Sequence, residues 1–129
     1  MLMKNRRIIL ALAGAALLFL AGLAAGANRF SRPKTVLHVV TIKWKDDATA
    51  AQKQAALDGV EKMAAEVPGI TRIWTKPLKV QGEGFSSAFV IEFADQAAFD
   101  RYAHNPAHQA WEKIYLPIRG ESRTHDITN

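Results

Sequence analysis

Few side chains in this sequence could carry chemistry, and most of them are histidines and tyrosines. His108 stands two residues after Pro106, where a helix is expected to begin, so its ring feels the positive end of the helix dipole. That field disfavours the imidazolium, and a neutral imidazole serves as a general base near pH 7. Tyr102 precedes it by six residues and offers a hydroxyl to the oxyanion that develops when a proton leaves a carbon beside a carbonyl. His38 lies within an apolar run and reads either as a pocket residue or as a hydrogen-bonded core histidine. Plainer roles stay open for the other two as well: His108 packing a helix start and bonding a backbone carbonyl, Tyr102 as a core aromatic whose hydroxyl reaches the surface. His104 and His108 have the spacing of a metal pair, but Pro106 breaks any helix carrying both, so no metal site is expected. His125 reads as a surface residue. Gly82-Glu83-Gly84 lacks the strand and helix context of a phosphate loop, and with no cysteine in the chain there is no thiolate chemistry and no disulfide. No cofactor is implied.

These residues need elements to hold them. Val36 to Trp44 is rich in β-branched residues and free of Gly and Pro, and reads as a first strand. His38, Val40, Ile42 and Trp44 fall on one face, and Leu37, Val39, Thr41 and Lys43 on the other. Thr49-Ala50-Ala51-Gln52 fits a capping box, followed by Ala56, Leu57, Val60, Met63, Ala64 and Val67 at helical spacing and a stop at Pro68-Gly69. A second strand is expected over Ile70 to Lys76 and a third over Phe85 to Phe93, with a loop from Pro77 to Gly84 between them. Asp95 caps a short helix from Gln96 to about Ala103, and Asn105-Pro106 starts another that reaches Tyr115, with Trp111, Ile114 and Tyr115 as core contacts. Ser122 to Ile127 forms the last, more polar strand.

This βαββαβ order predicts an α+β, ferredoxin-like domain: a four-stranded antiparallel sheet with helices on one face. The first and third strands are apolar on both sides, and the helices cover only one. A bare second face would leave a few hundred Å2 of apolar surface in water, at about 25 cal/mol per Å2, so a homodimer packed through the sheet is expected.

Ahead of the domain, residues 1–27 read as a signal peptide or an N-terminal membrane anchor. Lys4, Arg6 and Arg7 precede 18 apolar or glycine residues, Ile8 to Ala25, and Ala25-Gly26-Ala27 fits a cleavage site. Either outcome places the domain outside the cytoplasm, exported to the periplasm or beyond if cleaved, or held at the membrane through this segment alone. Residues 28–35 form a linker to the domain at 36–127. The formal charge of +5 includes the three leader cations and falls to +2 from Asn28 onward, with no basic block, so nucleic acid is not an expected partner.

Several of these segments are similar to one known family. Leu37-His38-Val39-Val40-Thr41-Ile42-Lys43-Trp44-Lys45-Asp46 resembles the opening strand of the stress-responsive α/β-barrel (Dabb) family, and Val67-Pro68-Gly69-Ile70 resembles its turn into strand two. Phe99-Asp100-Arg101-Tyr102 followed by Asn105-Pro106-Ala107-His108 resembles its motif of a tyrosine and then His-Pro-Ala-His, with Asn105 in place of the first histidine. The resemblance implies a dimeric α/β barrel with a cavity between sheet and helices. It assigns His108 as the catalytic histidine of a plant polyketide-cyclase member, Tyr102 as its partner and His38 as a further pocket histidine. Val60 stands where that member has a helix tyrosine. Around them the implied lining comprises His38, Val40, Ile42, Val60, Trp74, Phe89 and Trp111. Three functions fit this reading: binding of a small, largely apolar molecule; cofactor-independent acid/base catalysis of the cyclase, lyase or monooxygenase kind by His108 and Tyr102; or a stress-protective structural dimer without a working cavity.

Overall fold

The computed structural model describes residues 31–129, together with Asn5 and Leu12. The expected leader therefore lies outside the described residues, apart from those two positions. Residues 31–35 have no regular structure, and two of their carbonyls are tied to the C-terminus, Thr128 Oγ1 donating to Thr35 O (3.1 Å) and Asn129 Nδ2 to Pro33 O (3.0 Å).

The elements are β1 (Val36–Trp44), α1 (Ala50–Glu66), β2 (Ile70–Trp74), β3 (Ser87–Phe93), α2 (Gln96–Tyr102), α3 (Pro106–Tyr115) and β4 (Arg119–Ile127). Each helix starts where its cap dictates. Gln52 N donates to Thr49 Oγ1 (3.2 Å) and Thr49 N to Gln52 Oε1 (2.8 Å), closing the expected capping box. Asp95 accepts from Ala98 N, and Asn105 accepts from Ala107 N with Pro106 in the first turn. Gly69, at φ 94°, turns the chain from α1 into β2, a conformation that excludes a β-branched residue.

The strands form one antiparallel sheet in the order β2-β3-β1-β4, the ferredoxin-like arrangement. Val40, Ile42, Phe89, Ile91 and Phe93 point from its covered face into a core shared with Ala56, Val60 and Met63 of α1 and Tyr102, Trp111 and Tyr115 of α2 and α3. On the opposite face Val39 pairs with Val90 and Trp74 with Val90, and Trp74 is 48% exposed.

Several boundaries differ from expectation. β2 ends at Trp74, not Lys76, and β3 begins at Ser87, not Phe85; Phe85 donates its N–H to Gly82 O in the loop instead. β4 starts three residues earlier than its composition indicates, because Arg119 pairs with Trp44. Ile114 is exposed on α3, where Trp111 and Tyr115 supply the core contacts.

Candidate active site

Between the sheet and helices α2 and α3 lies a cavity of about 440 Å3, partly open to solvent. α3 contributes most of one wall. His108, Trp111, Glu112 and Tyr115 recur at helical spacing, so all four side chains line it. Tyr102, at the end of α2, reaches it beside His108, with ring centroids 4.2 Å apart. β1 supplies His38 and Val40, β3 supplies Phe89, and β4 supplies Arg119, Ser122 and Thr124. Trp111 is held in place by its Nε1–H donating to Ala56 O (2.8 Å), and it stacks on Tyr115 at 4.5 Å.

Of the expected lining, His38, Val40, Phe89 and Trp111 border the cavity and three residues do not. Ile42 and Val60 are fully buried in the core. Trp74 lies on the other face of the sheet, because it pairs with Val90, and Val90 alternates with the inward Phe89 and Ile91. Glu112, Tyr115, Arg119, Ser122 and Thr124 are lining residues that sequence reasoning missed. A signal for some of them was present: in β4, Ser122, Thr124 and Asp126 recur with period two.

The same register puts Asp126 opposite His38, and His38 Nδ1 lies 2.7 Å from Asp126 Oδ1. His38 also meets the Tyr102 ring at 5.7 Å. His38 is thus a hydrogen-bonded histidine and a cavity residue at once.

Three polar atoms in this wall are buried and find no hydrogen-bond partner among the described residues: Tyr102 Oη, His108 Nδ1 and Tyr115 Oη. The hydroxyl of Tyr102 does not reach the surface, contrary to the plainer expectation. Burial raises the Tyr102 pKa well above its ordinary value, and the charges of Glu112, Tyr115 and Asp126 push the same way, so the phenol stays protonated. Burial lowers the His108 pKa, opposed by the Glu112 carboxylate and the nearby Ala103 carbonyl and aided by His38. Burial also raises Tyr115, against the pull of Ser122 and Arg119, though neither satisfies its hydroxyl. On its other side His108 places Nε2 3.9 Å from Glu112 Oε1. The result is a neutral imidazole beside a protonated phenol, at the edge of a cavity lined by aromatic and polar side chains.

The sequence pattern of the stress-responsive A/B barrel domain (Dabb) matches residues 36–129. The chain belongs to the Dabb family. No curated protein matches it significantly in sequence. Among solved structures, the Dabb domain resembles a dimeric ferredoxin-like protein from Bacteroides fragilis (TM-score 0.62, 22% identity, covering 77% of this chain and 100% of that one). It also resembles the hydroxynitrile lyase of Passiflora edulis (TM-score 0.67, 16% identity, 74% and 93% covered). A third similar structure is SnoaB, a cofactor-independent oxygenase from Streptomyces nogalater (TM-score 0.61, 17% identity, 74% and 93% covered). At such identities these likenesses speak for the fold.

Proposed function

We propose that this Dabb protein binds a small, largely apolar carbonyl compound in the cavity and moves a proton on it without a cofactor. The observation that carries this reading is the pairing of His108 and Tyr102, a neutral base and a protonated donor with ring centroids 4.2 Å apart on the wall of an open cavity. His108 takes the proton from the carbon beside the carbonyl, and the Tyr102 hydroxyl donates to the oxyanion that forms. Glu112, 3.9 Å from the ring, steadies the imidazolium until the proton is returned. Phe89 and Trp111 supply the apolar wall against which the rest of the molecule packs. A hydroxynitrile lyase and a cofactor-independent oxygenase share the fold, which is support by analogy only. A purely structural dimer has no need of an open cavity with polar atoms left unpaired in its wall.

Proton exchange tests this directly. A panel of aryl ketones and 1,3-diketones in D2O, followed by NMR, should show protein-dependent deuteration beside the carbonyl. His108→Ala should slow that exchange on the order of 100-fold or more. Equal exchange with and without protein across the panel would remove the catalytic reading.

Two further assignments belong to the same proposal. The protein works as a homodimer joined through the open sheet face that carries Val39, Val90 and Trp74, as its dimeric structural relative supports. Residues 1–27 carry it out of the cytoplasm, a reading that rests on their sequence.

A further inference from the structure

β4 carries an irregularity that changes what the cavity can bind. Ser122, Thr124 and Asp126 face inward with period two, so in a regular strand Arg119 would point to the opposite face. It does not, because the pairing shifts between Lys43 and Trp44. Lys43 faces Glu121, Trp44 faces Arg119, and Gly120 is the extra residue of a β-bulge. A Cβ at Gly120 would sit 3.1 Å from the carbonyl oxygens of both Lys43 and Trp44, closer than most side chains pack, so any other residue would press on the backbone of the neighbouring strand. Its effect is to re-aim Arg119 into the cavity wall.

There the guanidinium is hardly used. It lies 5.7 Å from the centre of the Tyr115 ring and donates one long hydrogen bond, 3.5 Å, to Ser122 Oγ. No ion pair involves it among the described residues. The two carboxylates of the cavity do not pair with it: Asp100 accepts from Gln96 Nε2 at 2.8 Å, and Glu112 lies on the His108 side, 3.9 Å from Nε2. The cavity thus has an aromatic wall, Phe89 and Trp111, and a planar fork of N–H donors without a matching anion.

We infer that Arg119 is a recognition residue for the carboxylate of a small organic acid whose apolar body packs on Phe89 and Trp111. The assignment rests on the cavity being a binding site but not on proton transfer by His108. The Ser122 hydroxyl lies beside the guanidinium to share the same anion.

Calorimetric titration of the full-length protein with 1-naphthoate, 1-naphthylmethanol and 1-naphthylmethylammonium tests it. The naphthoate should bind about tenfold more tightly than the alcohol, and the ammonium most weakly. Arg119→Gln should erase the preference for the acid while leaving the alcohol's affinity within about twofold, and Arg119→Lys, which keeps the charge but not the fork, should retain only part of it. Equal affinity for acid and alcohol, a preference that survives Arg119→Gln, tighter binding of the ammonium, or no binding of naphthoate at millimolar concentration would each overturn the assignment. Because these titrations read binding alone, a protein that exchanges no protons on ketones leaves the preference standing. Conversely, loss of the preference leaves exchange on neutral ketones intact.

Discussion

A buried hydroxyl without an acceptor destabilises a folded protein by about 1–3 kcal/mol, and Tyr102 carries one. Removing it should therefore leave the fold at least as stable: Tyr102→Phe is expected to match or exceed the parent by up to about 1 kcal/mol in chemical denaturation. Ketone exchange should nevertheless fall on the order of 100-fold, because the oxyanion loses its donor. A core aromatic with no other role would show no such split. His108 gives a pH signature of definite sign. Its pKa in the folded chain lies below the ordinary 6.5, so between those values the unfolded chain binds the extra proton and the native state does not. Its contribution to stability is therefore complete above pH 6.5 and is lost as pH falls through the folded value. Exchange activity should stay level from pH 8 to below pH 6.5 before its acid limb appears, and His108→Ala should flatten the matching slope in denaturation midpoints. Both side chains were visible as candidates in the sequence. What could not be read there is that their polar atoms lack partners, since that depends on every neighbour at once.

At the scale of elements, α1 and α3 meet where Gly59 passes under Trp111. A Cβ on residue 59 would lie 2.7 Å from Trp111 Cδ1, and the indole cannot swing away without giving up its hydrogen bond to Ala56 O. Gly59→Ala would ordinarily favour a helix by about 1 kcal/mol. Here it should instead lower stability by about 1–3 kcal/mol through overpacking, read as a drop in melting temperature. It should also push Trp111 towards the cavity, which a weakened affinity for apolar ligands would report. Caps and periodicity announced the helices. The strand ends were less legible, because composition does not encode pairing. Arg119 looks like a loop residue until Trp44 lies opposite it, and Trp74 looks like lining until its pairing with Val90 fixes the face.

At the scale of the whole molecule, the helices cover one side of the sheet and leave Val39, Val90 and Trp74 half-buried or exposed on the other. The charges on that outer face are matched in part, the buried Glu92 with Arg72 at 3.2 Å and Glu121 with Arg123 at 3.3 Å, and the apolar residues lie around Val39, Val90 and Trp74. Residues 28–129 should sediment as a homodimer at micromolar concentration. Val90→Glu, which sets a charge beside Val39 and Trp74, should shift the protein to monomer while leaving the monomer's helical circular dichroism unchanged. A wild-type domain that sediments as a folded monomer would contradict the dimer.

The amino-acid pattern alone determined the order of elements, the helix starts, the antiparallel sheet with one apolar face to spare, and the identities of His38, Tyr102 and His108 as the residues to watch. Those features follow from local propensity and from periods of two and 3.6, which a linear sequence displays. Tertiary structure decided the rest. It set which side chains share the cavity, the pairing of His38 with Asp126 across 88 positions of chain, and the turning of Arg119 inward by the bulge at Gly120. The physical reason is register: a shift of one residue between two strands exchanges the faces of everything beyond it, and register is settled only when both strands are packed.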